Sequence, residues 1–312
     1  MSTISGEPRV LVLLATHNGA RYLQQQLASI LDQQGVAVRV LASDDASTDA
    51  TPALLAAAAK DPRVSVLPAD RFGTPQGNFL RLIRDAQLDS ADAVAFADQD
   101  DIWHADKLSR QLALLDRHDV HATSSNVVAF WERADGSRRQ ELIDKAQPQR
   151  ELDFLLESAG PGCTFVLRSA AFLAVRQVLT QHPLVDPSVP HDWLVYAVTR
   201  ALGLRWRIDR TPTMDYRQHD RNATGANSGL GAAVVRARRV ASGEYRLQAL
   251  AVARLAAAVA EPPLRARLER IVPLFERSTL GTRAALRRLV PQLRRAPSER
   301  RLLRAALLLG AW

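Results

Sequence analysis

The sequence predicts an α/β fold, a Rossmann-like mixed sheet flanked by helices with a helical C-terminal appendage, and three observations carry that reading. Over the first half of the chain, apolar runs of strand length alternate with amphipathic stretches in the manner of βαβ units. Aromatics make up only 5% of the 312 residues while Ala, Leu and Arg are abundant, which favours helix-rich α/β over an all-β sandwich. Three of the apolar runs end in polar or acidic clusters, and in open parallel sheets ligands bind beyond the carboxyl ends of the strands.

The run from Val10 to Ala15 is the first strand and stops at Thr16, His17, Asn18 and Gly19. Leu23, Leu27, Ile30 and Leu31 then share one helical face, and the helix ends before Gly35. A strand from Val36 to Ser43 is broken by Asp44 and Asp45, and Ser47, Thr48 and Asp49 are cap-type residues opening a helix toward Ala59. Val64 to Leu67 reads as a third strand, and Asn78 to Ala86 as a helix after the turn from Gly73 to Gly77. Ala93 to Ala97 lacks alternation and is therefore a strand buried on both faces, running straight into Asp98, Gln99, Asp100 and Asp101.

Downstream, helices are expected from Lys107 to Arg117, Glu151 to Ala159, Ala170 to Leu179 and His191 to Leu202. Strands are expected near Ala122 to Phe130, Thr164 to Arg168 and Leu204 to Ile208, with a polar connection through Gly136. Beyond Asn227 the chain becomes Arg-, Ala- and Leu-rich helix cut by Pro262, Pro263, Pro273, Pro291 and Pro297. The organisation expected is an α/β domain over residues 1–227 and a basic helical region over 228–312.

Composition excludes several classes. A single Cys163 rules out an internal disulfide framework and suits a reducing compartment. Met1 to Arg9 lacks the order of a signal peptide, and Ala249 to Ala260, interrupted by Arg254, falls short of the roughly 20 apolar residues a membrane span needs. A cytoplasmic location is expected. The net charge of +8 is uneven, because residues from Ala232 onward hold 17 Arg against five Glu, so the preceding part is net acidic. Such a tail can meet anionic lipid, nucleic acid or only solvent; it carries few aromatics and no nucleic-acid motif, so no nucleic-acid partner is expected.

Carboxylates crowded at a strand end repel one another unless a cation or solvent screens them, so Asp98, Asp100 and Asp101 read either as a site for a hard divalent cation or as a hydrated turn capping the next helix. Asp44 and Asp45 repeat the pattern, as acceptors for a ribose or base N–H or as an Asx turn. Cys163 reads as a small buried residue, since no base is paired with it in the sequence.

The run Val-Leu-Leu-Ala-Thr-His-Asn-Gly, the stretch Ser43 to Asp49 and the stretch Phe96 to Trp103 together resemble family 2 glycosyltransferases of the GT-A fold. Gly162-Cys163-Thr164, His191-Asp192-Trp193 and Tyr216-Arg217-Gln218-His219 with Asn222 and Gly225 extend the resemblance to its bacterial rhamnosyltransferase-like branch, over residues 9–227. The resemblance implies an inverting transfer from a nucleotide-diphosphate sugar, of dTDP or UDP type, to a glycan or lipid-linked glycan hydroxyl in surface polysaccharide synthesis. It implies that Thr16, Asn18, Asp44, Asp45, Asn78, Asp98 and Gln99 bind the nucleotide sugar. Asp100, Asp98 and His219 would hold Mg²⁺ or Mn²⁺, with Asp101 in support, and Asp192 would be the general base with His191 and Trp193 beside it. Two departures stand out: Arg71 precedes Gly73 in the third-strand loop, and the base stretch reads His-Asp where Glu-Asp is more widespread. Without the resemblance, Asp192 reads as a helix cap and His219 as a buried histidine, while Trp193 reads equally as an acceptor-stacking platform or as core. The Arg-rich tail is expected to touch the inner face of a membrane, with packing or dimerisation as the plain competitor.

Overall fold

In the computed structural model, residues 6–133, 135–219 and 243–312 are described. Asn222, Gly225 and the expected boundary at 227/228 lie outside them. The chain divides into two compact units. The first holds the described residues of Met1–Lys145, Gly160–Arg176 and Arg205–Ala223, the second those of Ala146–Ala159, Gln177–Leu204 and Thr224–Trp312.

The first unit is built on strands β1 (Arg9–Thr16), β2 (Ala37–Asp44), β3 (Val64–Val66), β4 (Ala93–Ala97), β5 (Ile102–Trp103), β6 (Ala122–Ser125), β7 (Val127–Glu132), β8 (Arg138–Ile143), β9 (Val166–Arg168), β10 (Trp206–Asp209) and β11 (Met214–Arg217). Helices α1 (Leu23–Leu31), α2 (Thr51–Ala58), α3 (Pro75–Asp85) and α4 (Lys107–Arg117) connect them. Helix α5 (Ser169–Gln181) follows β9.

Seven strands form one sheet in the order β10-β6-β9-β4-β1-β2-β3. Strand β1 lies parallel to both β2 and β4, whereas β9 runs antiparallel to β4 and β6, so the sheet is mixed as expected. All five residues of β4 are buried, which is why its run shows no alternation. Register matters for function: Thr16 pairs with Asp44, and Leu14 with Ala97, so the polar clusters after β1, β2 and β4 come together along one sheet edge.

A second sheet, β5-β11-β7-β8, is absent from the sequence expectation. The single strand expected from Ala122 to Phe130 divides at Asn126, whose side-chain amide donates to Asp144 Oδ1 and Arg210 O, both at 3.0 Å. Strand β6 stays in the large sheet while β7 crosses to the small one. The stretch around Gly136, expected as a connection, leads into β8, which pairs antiparallel with β7.

The second unit contains α6 (His191–Ala201), α7 (Glu244–Val259), α8 (Pro262–Glu276), α9 (Leu280–Leu293) and α10 (Pro297–Leu309). Pro262 and Pro297 sit at helix starts, where a missing N–H costs nothing; Pro273 and Pro291 lie inside α8 and α9. The helix expected from Glu151 to Ala159 is only a 3-10 turn at Asp153–Leu155. The reason is Asp153. Its fully buried carboxylate accepts from Arg150 N at 3.0 Å, Tyr196 Oη at 2.8 Å and the guanidinium groups of Arg200 at 3.2 Å and Arg295 at 3.3 Å. A buried charge needs such partners, and a continuous helix would compete with them for the local backbone. Arg295 also pairs with Glu157 at 3.3 Å, so the Arg-rich region is knitted to residues 150–159.

Candidate active site

The edge of the large sheet is assembled by a set of short hydrogen bonds among the loops after β1, β2 and β4. Thr16 Oγ1 donates to Asp44 Oδ1 at 2.8 Å, and Ser47 gives Asp44 both its N–H (2.9 Å) and its hydroxyl (2.6 Å). Asp44 is therefore spent on the turn. Asp45 accepts from the backbone N–H groups of Phe72 and Gly73 through Oδ1, which fixes the loop after β3 that contains Arg71. Asn18 takes up a positive φ of 48°, receives Thr48 N at 2.8 Å and gives its own N–H to Ser47 Oγ at 2.8 Å.

Gln99 joins the first strand end to the acidic loop. Its amide accepts from His17 N at 2.8 Å and donates to His17 O at 2.9 Å. A Cβ on Gly19 would stand 2.1 Å from Gln99 Oε1, so the clasp requires glycine there. Asn78, expected among the nucleotide contacts, is instead 2% exposed and donates to Ser43 O (2.9 Å) and Thr16 O (3.2 Å). It braces the strand ends from behind, because a buried amide must spend its N–H groups locally.

The acidic loop is gripped from the second sheet. Antiparallel pairing of β5 with β11 carries Arg217 and His219 to it. Arg217, 2% exposed, donates from Nε to Asp100 O at 2.9 Å and from its backbone N to Asp101 Oδ1 at 3.1 Å. Its other guanidinium nitrogens meet Gln25 Oε1 at 2.6 Å and Glu132 Oε1 at 2.7 Å. The guanidinium lies 4.5 Å from the Tyr22 ring centre and 4.6 Å from that of Phe130, while His219 stacks on Tyr22 at 5.2 Å and shares a 2.7 Å hydrogen bond with Asp100 Oδ2.

Asp98 is half-buried and Asp100 largely so, but Asp101 is fully buried, with Cys163 beside its carboxyl. Burial, then the charges of Asp100 and Asp98, push the Asp101 carboxyl well above the usual carboxylate range. Among the described residues, the ligand atoms that converge within 4.8 Å belong to Asp98, Asp101 and Cys163, in place of the expected Asp98, Asp100 and His219. Burial and the nearby acids also push the Cys163 thiol up, and a neutral thiol is a poor donor to a hard cation. Carboxylate oxygens are the donors a hard cation such as Mg²⁺ or Mn²⁺ takes, so Asp98 and Asp100 are candidates to hold one, with Asp101 as the buried anchor of the loop. Through its hydrogen bond from Nε2, His219 also orients the Asp100 carboxylate. Beneath them Lys107, fully buried, donates to Gln111 Oε1 at 2.9 Å, and burial pulls its ammonium down to about 8.

In the second unit, Asp192 occupies the first turn of α6 and its Oδ1 accepts the N–H of Trp193 at 2.7 Å. Trp193 is buried, gives its indole N–H to Phe154 O at 2.8 Å and stacks on Tyr245 at 5.5 Å. Its ring is committed to packing, which leaves no face for an acceptor to stack on. Burial pushes the His191 imidazole down to about 3, so it is neutral near pH 7. Tyr22, Gln25, Glu132 and Lys107 escaped the sequence reading; Arg217 stood inside the Tyr216 to His219 stretch without a role.

Residues 11–173 match the family described as glycosyl transferase family 2. Over 244 residues, 77% of this chain and 83% of the relative, the sequence is 36% identical to the dTDP-rhamnosyl transferase RfbG of Shigella flexneri. The chain belongs to glycosyltransferase family 2. This family 2 glycosyltransferase is also 38% identical over 228 residues to the succinoglycan biosynthesis protein ExoO of Rhizobium meliloti, a match covering 70% of this chain and 62% of that protein. Its fold is GT-A: S. aureus TarS 1–349, solved with UDP-GlcNAc, aligns with a TM-score of 0.59 at 16% identity, covering 97% of this chain and 87% of that one.

Proposed function

We propose that this glycosyltransferase moves rhamnose from a dTDP-sugar to a hydroxyl of a glycan or lipid-linked glycan during surface polysaccharide synthesis, in a metal-dependent, inverting reaction. The observation that supports it best is the meeting of three strand ends and the Arg217–His219 strand on one acidic loop. The identity with the Shigella dTDP-rhamnosyl transferase favours rhamnose and dTDP over other donors.

In this reading Thr16, Asn18, Asp45 and Gln99 shape the nucleoside pocket, with Asp44 and Asn78 holding its walls, and Asp98 and Asp100 carry the divalent cation. A bound cation supplies charge neutralisation for the departing nucleoside diphosphate. Arg217 and His219 hold Asp100 in place, which keeps the loop from reorganising as charge develops. Asp192 takes the proton of the acceptor hydroxyl as that oxygen attacks the anomeric carbon from the side opposite the diphosphate, and attack from that side inverts the centre. Neutral His191 beside it adds no competing cation, so Asp192 remains a proton acceptor. A peripheral position at the inner face of a membrane suits a lipid-linked acceptor; among the described residues no helix is long and apolar enough to cross one.

Thermal shift with dTDP or UDP, with and without Mg²⁺ or Mn²⁺, tests the donor site, since a ligand that binds the folded state raises its apparent stability. Asp100→Ala is expected to abolish the metal-dependent part; an unchanged response would reject the loop as the metal site. Asp192→Asn should keep nucleotide binding and lose most transfer, and full turnover in that variant would remove Asp192 as base.

A further inference from the structure

Helix α10 has two apolar sides. Leu303 and Leu307 are buried, and just after the helix the buried Trp312 ring packs on Phe275 and Tyr245. That anchoring fixes which side faces outward. On the outer side Leu302, Ala305 and Leu309 follow one another at i, i+3 and i+7, with Leu308 at its border. The leucines are 68%, 84% and 60% exposed for 302, 309 and 308. Single exposed leucines need no explanation, but three on one 13-residue helix form a stripe. Arg301 and Arg304 flank it, both exposed, and among the described residues neither pairs with a carboxylate; the same holds for the exposed Arg287 and Arg288 of α9.

We propose that this outer face of α10 is a docking surface for an anionic lipid bilayer, with Leu302, Leu308 and Leu309 entering the headgroup boundary and Arg301 and Arg304 meeting lipid phosphates. An aliphatic stripe edged by arginine is what an interfacial helix requires, and at 13 residues the helix lies along a surface rather than through it. A second copy is a poorer occupant. A two-fold contact through this face would bring Arg301 and Arg304 against their own counterparts, with no acid on the stripe to neutralise them. Nucleic acid would leave the leucines exposed. The proposal makes the peripheral placement above specific and rests on it, but not on the chemistry of the donor site.

The test is co-sedimentation of the full chain with vesicles of phosphatidylcholine alone or mixed with phosphatidylglycerol. Binding is expected only to the anionic vesicles. Both a Leu302→Ser/Leu308→Ser/Leu309→Ser variant and an Arg301→Gln/Arg304→Gln variant should bind at least about tenfold more weakly, each basic residue near such a surface contributing several-fold. Because all these side chains are exposed, melting temperature and the thermal response to dTDP should not change, so a failure here is separable from a failure of the donor site. Equal binding to neutral vesicles, unaltered binding by both variants, or a wild-type dimer that the serine variant splits would overturn the proposal.

Discussion

Replacing Arg217 by Lys probes whether the acidic loop is held in shape from the second sheet. The arginine fork bonds to Asp100 O, Gln25 Oε1 and Glu132 at once, between the rings of Tyr22 and Phe130. A charged hydrogen bond to a buried carbonyl is worth about 1.5–3 kcal/mol, and each ring contact about 0.5–2 kcal/mol. The Glu132 pair adds little, because that carboxylate is 39% exposed and water replaces the lost partner. Complete removal would cost about 3–5 kcal/mol, a large share of a typical domain's stability. Lysine keeps the cation but not the planar fork, so about 2 kcal/mol is expected from urea denaturation. Titration calorimetry should show Mn²⁺-dependent nucleotide binding weakened at least about tenfold, since 1.4 kcal/mol of lost preorganisation already gives that factor. Metal-free nucleotide binding, assigned above by proposal to the Thr16 and Asp45 side, should be unaltered. A variant with wild-type denaturation midpoint and wild-type metal-dependent affinity would refute the clamp.

Gly19→Ala should force Gln99 out of its clasp with His17 and cost about 1–2 kcal/mol, with weakened dTDP binding measured by calorimetry. For Lys107 the sign follows from its lowered position: the folded form gives up its proton near pH 8 while the unfolded chain keeps it to about 10.5. Wild-type stability relative to Lys107→Met should therefore rise between pH 8 and 9, by at most about 1.4 kcal/mol per pH unit. Denaturation curves at the two pH values that show no change in this difference would exclude a strained lysine. Arg295→Met should destabilise the second unit by about 3 kcal/mol, because Asp153 stays buried with less charge compensation; a loss below about 0.5 kcal/mol would make the pair dispensable.

Much of the site was legible because its signals are local. The runs ending at Ala15, Ser43 and Ala97 are largely apolar, of strand length and followed within three residues by Asp or Asn, so both the strands and their polar ends can be read from neighbouring residues. The second sheet could not be read that way. Strand β5 has two residues and owes its existence to β11, more than 100 residues away, while β8 reads Arg-Arg-Gln-Glu-Leu-Ile with mostly exposed positions and is held as a strand by its hairpin pairing with β7. Arg217 and His219 were visible as a stretch, but the residues that seat them, Tyr22 just before α1, Gln25 in α1 and Glu132 in β7, share no sequence spacing with them. The turn at Asp153 misled for the same reason: helix propensity favoured Glu151 to Ala159, and a buried charge with partners from elsewhere overrode it.

The bond between Asp153 and Arg295 spans 142 residues of chain. At translation rates of about 5–20 residues per second, about seven to thirty seconds separate the emergence of the two partners from the ribosome. During that interval the carboxylate is already made but lacks one of its two counter-cations, while β1, β2 and β4 are all available to assemble. Folding of the large sheet can thus run well ahead of completion of the second unit, whose buried carboxylate waits for the last of its partners to be made.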